Sequence, residues 1–506
     1  MVRVTEQDRT RRGTPATRTA DAIGPAALRR SSSLPDRRLL ILPSETRNRE
    51  FDAKLLLACF AAERGFRVIV GSKRDIHLRL GRFPPATYVA KDLRFRSKRI
   101  FRILKRLGHR IVAWDEEALV VYSPEFYLKS RIDPECLGQA DMLFAWGEAN
   151  RTTWHSLPDL RRTPIHMTGN PRFDLLRPEL RSLFDEEVAR LRERFGRFVL
   201  VNSNFGKVNM YLPNQSLTAA AGGDMAPEEA RAWDGSRVAY RRRLFLEFLA
   251  ATRRLAENLP GHRIVVRPHP AESHAPWLAA LARCSNAAVV HEGNVVPWIL
   301  ASEAMVHNGC TTAIEAAILG RLPIAYRPFA SDLDDIPLTN DVSRQALSFA
   351  ELERAVLAAL EAGGRAIGSE GRGSPLLGRH VAALNGPMAS ERIVEILAAD
   401  ASDAAPAGGG YFRLGGRCGA LAWSLHRRLS ARIPGHRNHR SYLAHIFPPL
   451  DVADVESRVD RLRRCLDRFA NVEIRRLATN IFELSGGPAD AASAAQTADA
   501  AGEYAT

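Results

Sequence analysis

The stretch VHNGCTTAIEAAILGRLPIAYR, from Val306 to Arg327, decides the fold that we expect of this chain. An apolar lead-in, a glycine turn, a short amphipathic run and a second apolar run follow one another, which is the order strand, turn, helix and strand. Thr312 and Glu315 have the spacing of a capping box, and Gly320 suits the left-handed position after the last helical turn. The stretch therefore predicts one repeat of a parallel α/β sheet.

Polar residues surround the start of this predicted helix, namely His307, Asn308, Gly309, Thr311 and Thr312. Exposed first-turn amides and the positive end of the helix dipole form a seat for a phosphate at the carboxyl end of a parallel strand. We therefore predict that these five residues and Glu315 bind a nucleotide. A structural alternative stays open, in which Glu315 only closes its own helix and His307 only makes a hydrogen bond at a strand end.

A second apolar strand, RIVVRPHP, runs from Arg263 to Pro270. Its two prolines fix the exit of the chain and place a guanidinium and an imidazole at the strand tip, where doubly wound sheets bind ligands. We predict that Arg267, His269 and Pro270 contact the nucleotide. Asn204, in a polar turn after another predicted strand, is a further candidate, with an ordinary loop as the alternative.

Acidic residues lie at the corresponding strand ends of the first half of the chain. Glu50 opens the helix after the first strand, and Asp115 and Glu116 follow the fourth strand in the sequence WDEE. Carboxylates at the ligand-facing edge of a sheet can act as general base or nucleophile, so we predict catalytic roles for these three residues and for His269. The alternatives are helix-dipole pairing for Glu50 and a solvated loop for the other two.

The motifs RPHP and HNGCTTAIEAAILGRLP resemble the carboxyl-terminal half of GT-B glycosyltransferases, and most closely that of bacterial surface-carbohydrate biosynthesis proteins. RNREFDAKLLLAC, WDEEAL, FAWGEAN and GNPRFDLL resemble the same group, in order between about Leu39 and about Leu397. The resemblance implies an α/β protein with two Rossmann-like doubly wound domains facing a cleft and a helical C-terminal extension. The His-Pro pair is similar to the HP motif of transferases that use CMP-linked ulosonic acids, and to CDP-glycerol transferases.

The activity that the resemblance implies is transfer of a sugar or polyol phosphate from a nucleotide-activated donor to a glycan or lipid-linked acceptor. A CMP-linked donor is favoured, and the product belongs to a capsule or lipopolysaccharide. No His/Asp spacing of a metal site stands out in the sequence, so neither a metal nor another cofactor is expected, which agrees with metal-independent GT-B enzymes. Two alternatives stay open: an enzyme like UDP-GlcNAc 2-epimerase, and a non-catalytic polysaccharide-assembly protein.

The charge balance favours anionic partners. Lys+Arg 72 and Asp+Glu 57 among 506 residues give a net charge of +15. Aromatic and basic residues are not interleaved as in a stacking platform, so no nucleic acid is expected. Scattered cysteines, the lack of a signal-peptide core and the lack of about 18 consecutive apolar residues predict a cytoplasmic protein, with peripheral contact with the inner membrane as an option.

Composition and the spacing of the predicted elements divide the chain into five segments. They are a disordered basic arm at 1–36, an N-terminal Rossmann-like acceptor and catalytic domain at 37–177, a C-terminal Rossmann-like nucleotide-sugar-binding domain at 178–400, a basic helical extension at 401–485 and a disordered tail at 486–506. Within the extension, Arg413 to Arg440 is predicted either to lie as a helix on an acidic membrane or to pack against the second domain.

Overall fold

The computed structural model of the protein describes residues 38–486, except for 159, 161–162, 212–234, 330, 332–334, 365–373, 401–409 and 437. The predicted arm at 1–36 lies outside the described residues, as does the predicted tail after its first residue. The described chain forms two compact units. The N-terminal unit contains residues 38–116, 131–183 and 378–486, and the central unit contains residues 117–130 and 184–377.

The strands are numbered in chain order as β1 (Leu39–Ser44), β2 (Arg67–Ser72), β3 (Thr87–Ala90), β4 (Arg110–Ala113), β5 (Met142–Ala145), β6 (Ile165–Met167), β7 (Phe198–Asn202), β8 (Arg263–Arg267), β9 (Ala287–Val289), β10 (Ala304–His307), β11 (Pro323–Tyr326), β12 (Arg344–Ala346), β13 (Glu473–Ala478) and β14 (Ile481–Ser485). The α-helices are numbered as α1 (Asp52–Glu63), α2 (Lys73–His77), α3 (Lys98–Leu107), α4 (Pro124–Arg131), α5 (Pro134–Gln139), α6 (Glu148–His155), α7 (Pro171–Asp174), α8 (Asp185–Phe195), α9 (Gly235–Asn258), α10 (Ala275–Ala280), α11 (Val295–Ala301), α12 (Thr311–Ile318), α13 (Pro337–Asp341), α14 (Phe349–Glu361), α15 (Pro375–His380), α16 (Ala389–Ala399), α17 (Gly410–Ser430), α18 (Arg440–Ile446) and α19 (Val452–Leu466).

The central unit is built on a parallel six-stranded sheet in the order β12-β11-β10-β7-β8-β9. Its strands are continuous apolar runs such as FVLVN in β7, which suits a sheet that is covered on both faces. The chain moves outward from β7 through β8 to β9, then crosses to β10 on the other side of β7. This is a doubly wound order whose switch point lies between β7 and β10.

A chain of aromatic rings anchors the loop after β7 in the core of the central unit. Phe205 of this loop contacts Phe245 and Phe248 of α9, with ring centroids 5.0 and 5.2 Å apart. Phe245 in turn meets Trp277 of α10 at 5.6 Å. Each such pair contributes about 0.5–1.5 kcal/mol beyond its buried area. The polar residues around Phe205 are therefore attached to a rigid base.

The N-terminal unit contains an eight-stranded sheet in the order β13-β14-β2-β1-β3-β4-β5-β6. The strands from β2 to β6 are parallel, and their switch point lies between β1 and β3. The α/β class with two doubly wound sheets and a helical C-terminal region is therefore confirmed. The cleft between two domains stays a prediction.

The C-terminal region also contains a hairpin that the sequence analysis did not predict. Strands β13 and β14 pair antiparallel with each other, and β14 pairs antiparallel with β2. Gly71 of β2 permits this contact, because a Cβ atom there would lie 2.0 Å from the carbonyl oxygen of Asn480. The hairpin covers the edge of a parallel sheet that would otherwise present unpaired backbone groups.

The basic helix of the extension, α17, packs on α3 and therefore belongs to the N-terminal unit. The predicted alternative that it packs against the second domain is thus wrong. The physical reason is a run of small residues on α17 that fits the backbone of α3, a feature that composition alone did not reveal. In the described part of the chain, no helix is both long and apolar enough to cross a membrane.

Candidate functional site

The loops after β7 and β10 are joined at the switch point of the central sheet by a reciprocal pair of hydrogen bonds. The side-chain Oδ1 of Asn308 accepts from the backbone N–H of Asn204 at 2.8 Å, and its Nδ2 donates to the Asn204 carbonyl at 3.2 Å. Asn202 adds a third link, since its Nδ2 donates to Thr312 Oγ1 at 2.7 Å. The structure therefore brings the predicted residues Asn204, Asn308 and Thr312 together.

Helix α12 starts beside this pair. It begins at Thr311, and the residue in the N-cap position is Cys310, which makes no side-chain cap bond. The predicted capping box of Thr312 and Glu315 is therefore wrong, because Thr312 already lies inside the helix. Gly309, with φ of +82°, makes the left-handed turn into the helix. The first-turn amides and the positive dipole end of α12 consequently lie at the switch point.

His307 is fully buried below this turn. Its Nδ1 accepts from the Gly309 N–H at 3.0 Å, and its Nε2 lies 2.9 Å from Ser343 Oγ, which donates to the Thr339 carbonyl at 2.5 Å. Burial lowers the pKa of His307 to about 3, so the ring is neutral at pH 7. Both ring nitrogens of His307 therefore hold the turn in place, and its contact with the nucleotide stays a prediction.

Glu272 is the main residue that the sequence analysis missed. This fully buried carboxylate accepts through Oε1 from the N–H groups of Phe205 at 2.8 Å and His269 at 3.1 Å. Ser203 Oγ donates to both carboxylate oxygens, at 3.0 and 3.1 Å, and Trp277 Nε1 donates to Oε2 at 3.3 Å. Burial raises the pKa of Glu272 while these hydrogen bonds oppose the shift. Glu272 thereby fixes the loop after β8 to the loop after β7.

His269 is held on the loop after β8 with its ring only half-buried. Its Nδ1 accepts from the Ala271 N–H at 3.1 Å, so the neutral ring carries its proton on Nε2. A Cβ atom on Gly206 would lie 3.0 Å from Ala271 Cβ and 3.7 Å from His269 Nδ1. The loops after β7 and β8 therefore touch beside the imidazole, and Pro270 follows it as a half-buried residue.

Arg267 has a different environment from the one predicted. Its guanidinium is buried and donates to the carbonyls of Gly293, at 2.6 Å, and Glu292, at 3.3 Å. Burial lowers the pKa of Arg267 to about 10, and the carboxylates of Glu315 and Glu292 act in the opposite direction. The guanidinium thus braces the loop after β9, and the contact of Arg267 with the nucleotide stays a prediction. Glu315 is buried on α12, and its contact with the nucleotide stays a prediction.

Two arginines of α9 also approach the switch point. Arg241 is buried and donates to the Asn204 carbonyl at 3.2 Å and to Tyr122 Oη at 3.0 Å. Arg237 stacks on the rings of Tyr122 and Phe126, at 4.9 and 4.8 Å from their centroids. Cations near the start of a helix oppose its dipole, so arginines in the first turns of α9 are not explained by the stability of the helix. Their positions were therefore a signal in the sequence that they serve the switch point.

The switch point of the N-terminal sheet carries its own charged cluster. Glu50 is buried; its Oε2 accepts from the Glu45 N–H at 2.7 Å, and its Oε1 lies 3.4 Å from Lys91 Nζ. Lys91 also forms an ion pair with the Glu45 carboxylate. Although burial opposes its charge, Glu45 and Glu50 raise the pKa of Lys91 above its ordinary value. The predicted position of Glu50 at the ligand-facing edge of β1 and β3 therefore matches the structure.

Asp115 and Glu116 are almost fully buried and are held by ion pairs and hydrogen bonds. Arg131 forms a two-pronged ion pair with Asp115. Glu116 accepts from Trp114 Nε1 at 2.8 Å and lies 3.3 Å from Lys54 Nζ. Burial opposes the charge of Glu116, yet Lys54 holds its pKa below the ordinary value. These buried and paired carboxylates brace the N-terminal unit, and the catalytic role of the two acids stays a prediction.

Comparison of the sequence with protein-family models and with curated proteins gives no match. Solved structures with a similar fold include the UDP-GlcNAc 2-epimerase of Neisseria meningitidis bound to UDP-GlcNAc, at 11% identity over 72% of this chain and 100% of that chain, with a TM-score of 0.43. The epimerase of Methanocaldococcus jannaschii in complex with UDP-GlcNAc and UDP has 12% identity over 71% and 99%, with a TM-score of 0.43. The wall teichoic acid polymerase TagF has 12% identity over 71% and 87%, with a TM-score of 0.37. Identities of 11–12% show a similarity of fold alone.

Proposed function

We propose that this protein is an enzyme that binds a nucleotide-activated sugar or polyol phosphate through its central unit. The supporting observation is the reciprocal pair of Asn204 and Asn308 at the switch point between β7 and β10, beside the first turn of α12. Backbone amides and a helix dipole converge on such a position, which is where doubly wound sheets bind phosphate groups. We assign the diphosphate or phosphate of the donor to this point.

His269 is the side chain that we assign to the donor phosphate directly. Its backbone is fixed by Glu272, and its proton lies on Nε2, which can donate to a phosphate oxygen. A donor aimed at the departing phosphate stabilises the charge that develops there in the transition state. His269 and the amides of α12 together stabilise the negative charge of the departing phosphate. We therefore propose a reaction that uses no metal ion. The resemblance of RPHP to the HP motif favours a cytidine nucleotide.

Glu50 is the residue that we assign to the acceptor. It is a carboxylate at the switch point of the N-terminal sheet, beside Lys91. A general base there would take the proton of the attacking hydroxyl, which typically contributes a factor of about a hundred to ten thousand in rate. We propose a glycan or lipid-linked acceptor in bacterial surface polysaccharide assembly, in contact with the cytoplasmic face of the inner membrane.

A panel of CMP-, CDP- and UDP-linked donors tests this proposal, with nucleotide release as the readout. We expect release with a cytidine-linked donor, and a loss of at least tenfold in the variant His269→Ala. His262→Ala, a histidine at the opposite end of β8, is the matched control and should behave as wild type. Conversion of UDP-GlcNAc to an epimer without nucleotide release would show that the protein is an epimerase and not a transferase. Absence of both binding and release for every donor would leave the non-catalytic alternative.

A further inference from the structure

Helix α17 buries small residues against α3 and leaves four leucines exposed. A Cβ atom on Gly416 would lie 2.8 Å from the backbone carbonyl carbon of Arg106, and one on Gly419 would lie 3.3 Å from Ile103 Cγ1. Ala420 is buried in the same contact. Only small residues permit this close approach to α3, so the orientation of α17 about its own axis is fixed.

Four leucines consequently point away from the N-terminal unit. Leu414, Leu421, Leu425 and Leu429 are 57, 75, 59 and 52% exposed, and we call them the leucine face. Spacings of seven, four and four residues keep them on one side of an α-helix. Scattered single leucines are normal on a protein surface, but a row of four on one helix marks an interaction surface.

The surroundings of the leucine face are basic. Residues 404–450 contain seven arginines and neither Asp nor Glu, and α3, with the sequence KRIFRILKRL, carries five basic residues and no acidic one. Arg417 and Arg428 are exposed, and helical spacing places them on the side of the leucine face. Arg432, just after the helix, is also exposed. Long basic side chains beside an apolar row are the pattern of a helix that lies in a membrane interface.

The charge decides between the possible occupants. A second copy of this chain would bring two arginine-rich surfaces of the same sign together, which is unfavourable. A nucleic acid would neutralise the arginines but leave the leucines in water. An anionic lipid surface takes both groups, since leucines enter the acyl boundary while arginines meet the headgroups.

We propose that the leucine face and its flanking arginines dock the N-terminal unit onto an anionic lipid bilayer, with α17 lying parallel to the surface. This inference specifies the membrane contact of the proposed function. The test of this inference requires no nucleotide and no turnover. The membrane proposal can therefore fail while the nucleotide-binding proposal holds, and nucleotide binding can fail while the membrane proposal holds.

Flotation of the full-length protein with vesicles gives the test, using pure phosphatidylcholine and a mixture with about 30% phosphatidylglycerol. We expect binding to the anionic vesicles that weakens as salt rises. The triple variant Leu421→Gln, Leu425→Gln, Leu429→Gln should lower the partition coefficient at least tenfold, while Leu246→Gln, an equally exposed leucine on α9, should not. Arg417→Gln and Arg428→Gln should each lower the partition coefficient about fivefold. The control variant Arg344→Gln on β12 should not change it.

Cys418 lies exposed beside the leucine face and offers an independent readout. An environment-sensitive dye on Cys418, in a Cys465→Ser background, should shift to the blue and become accessible to a lipid-borne quencher with anionic vesicles. The proposal is overturned if wild type fails to float with anionic vesicles at low salt, or if the leucine triple variant floats as well as wild type. It is also overturned if light scattering shows a dimer of wild type that the leucine triple variant abolishes.

Discussion

Replacing Glu272 by alanine should separate the loops after β7 and β8. The substitution removes the acceptor of Phe205 N–H, His269 N–H and Trp277 Nε1–H. Phe205 and Trp277 are almost fully buried, and each buried donor left without an acceptor costs about 1–3 kcal/mol, or about 2–6 kcal/mol for the two. Removal of a desolvated negative charge offsets part of this cost, so we expect a loss of about 3 kcal/mol in the free energy of unfolding.

Guanidinium unfolding followed by tryptophan fluorescence measures this loss, with the exposed Glu257→Ala as the control. The isosteric Glu272→Gln should be milder, because its amide oxygen can still accept two of the bonds. Burial raises the pKa of Glu272, so the folded protein binds this proton more tightly than the unfolded chain does. Wild-type stability therefore falls as pH rises through the window above the ordinary pKa, and the penalty of Glu272→Gln shrinks there. A Glu272→Ala protein within 1 kcal/mol of wild type would refute the reasoning.

Three further predictions concern other parts of the fold. The pKa of His307 is about 3 in the folded protein and about 6.5 in the unfolded chain, so the unfolded chain binds more protons at pH 5. Between pH 7.5 and pH 5, the free energy of unfolding of wild type should therefore fall by about 2 kcal/mol. Urea unfolding should show that His307→Gln does not have this loss. Gly71→Ala should drive a Cβ atom into the Asn480 carbonyl, cost about 1–3 kcal/mol and speed hydrogen exchange in the β13–β14 hairpin; unchanged exchange would contradict this. Lys54→Met should cost about 3–5 kcal/mol, because it deprives buried Glu116 of its nearest cation, and adding Glu116→Gln should recover part of the loss; an additive double variant would contradict the pairing.

The sequence was sufficient to predict the α/β class with two doubly wound sheets. Continuous apolar runs ending in polar residues, such as RIVVRPHP, specify buried parallel strands and the edge at which ligands bind. The positions of Asn204 and Asn308 were predicted in this way, because each residue follows a strand that lies at the switch point. The hairpin of β13 and β14 was not found, since its place is set by pairing with β2 far away in the chain rather than by a local pattern.

The roles of individual side chains were harder to predict, because burial and partners are long-range properties. WDEE reads as a solvated acidic loop, yet Arg131 and Lys54 arrive from elsewhere in the chain to pair with Asp115 and Glu116. Glu272 was overlooked because an acid two residues after RPHP resembles an ordinary loop residue. Its five partners come from the loops after β7 and β8 and from α10, and only the folded chain brings them together.

Calorimetric titration of the full-length protein with CMP, CDP and UDP tests most directly whether the central unit binds a nucleotide at its switch point. We predict saturable binding, tightest for a cytidine nucleotide, and at least a tenfold loss of affinity in Asn308→Ala and in His269→Ala. Asn258→Ala, an amide at the end of α9, should leave affinity unchanged, and melting temperatures should show that all variants remain folded. Absence of binding by wild type, or equal affinity in all four proteins, would contradict the account.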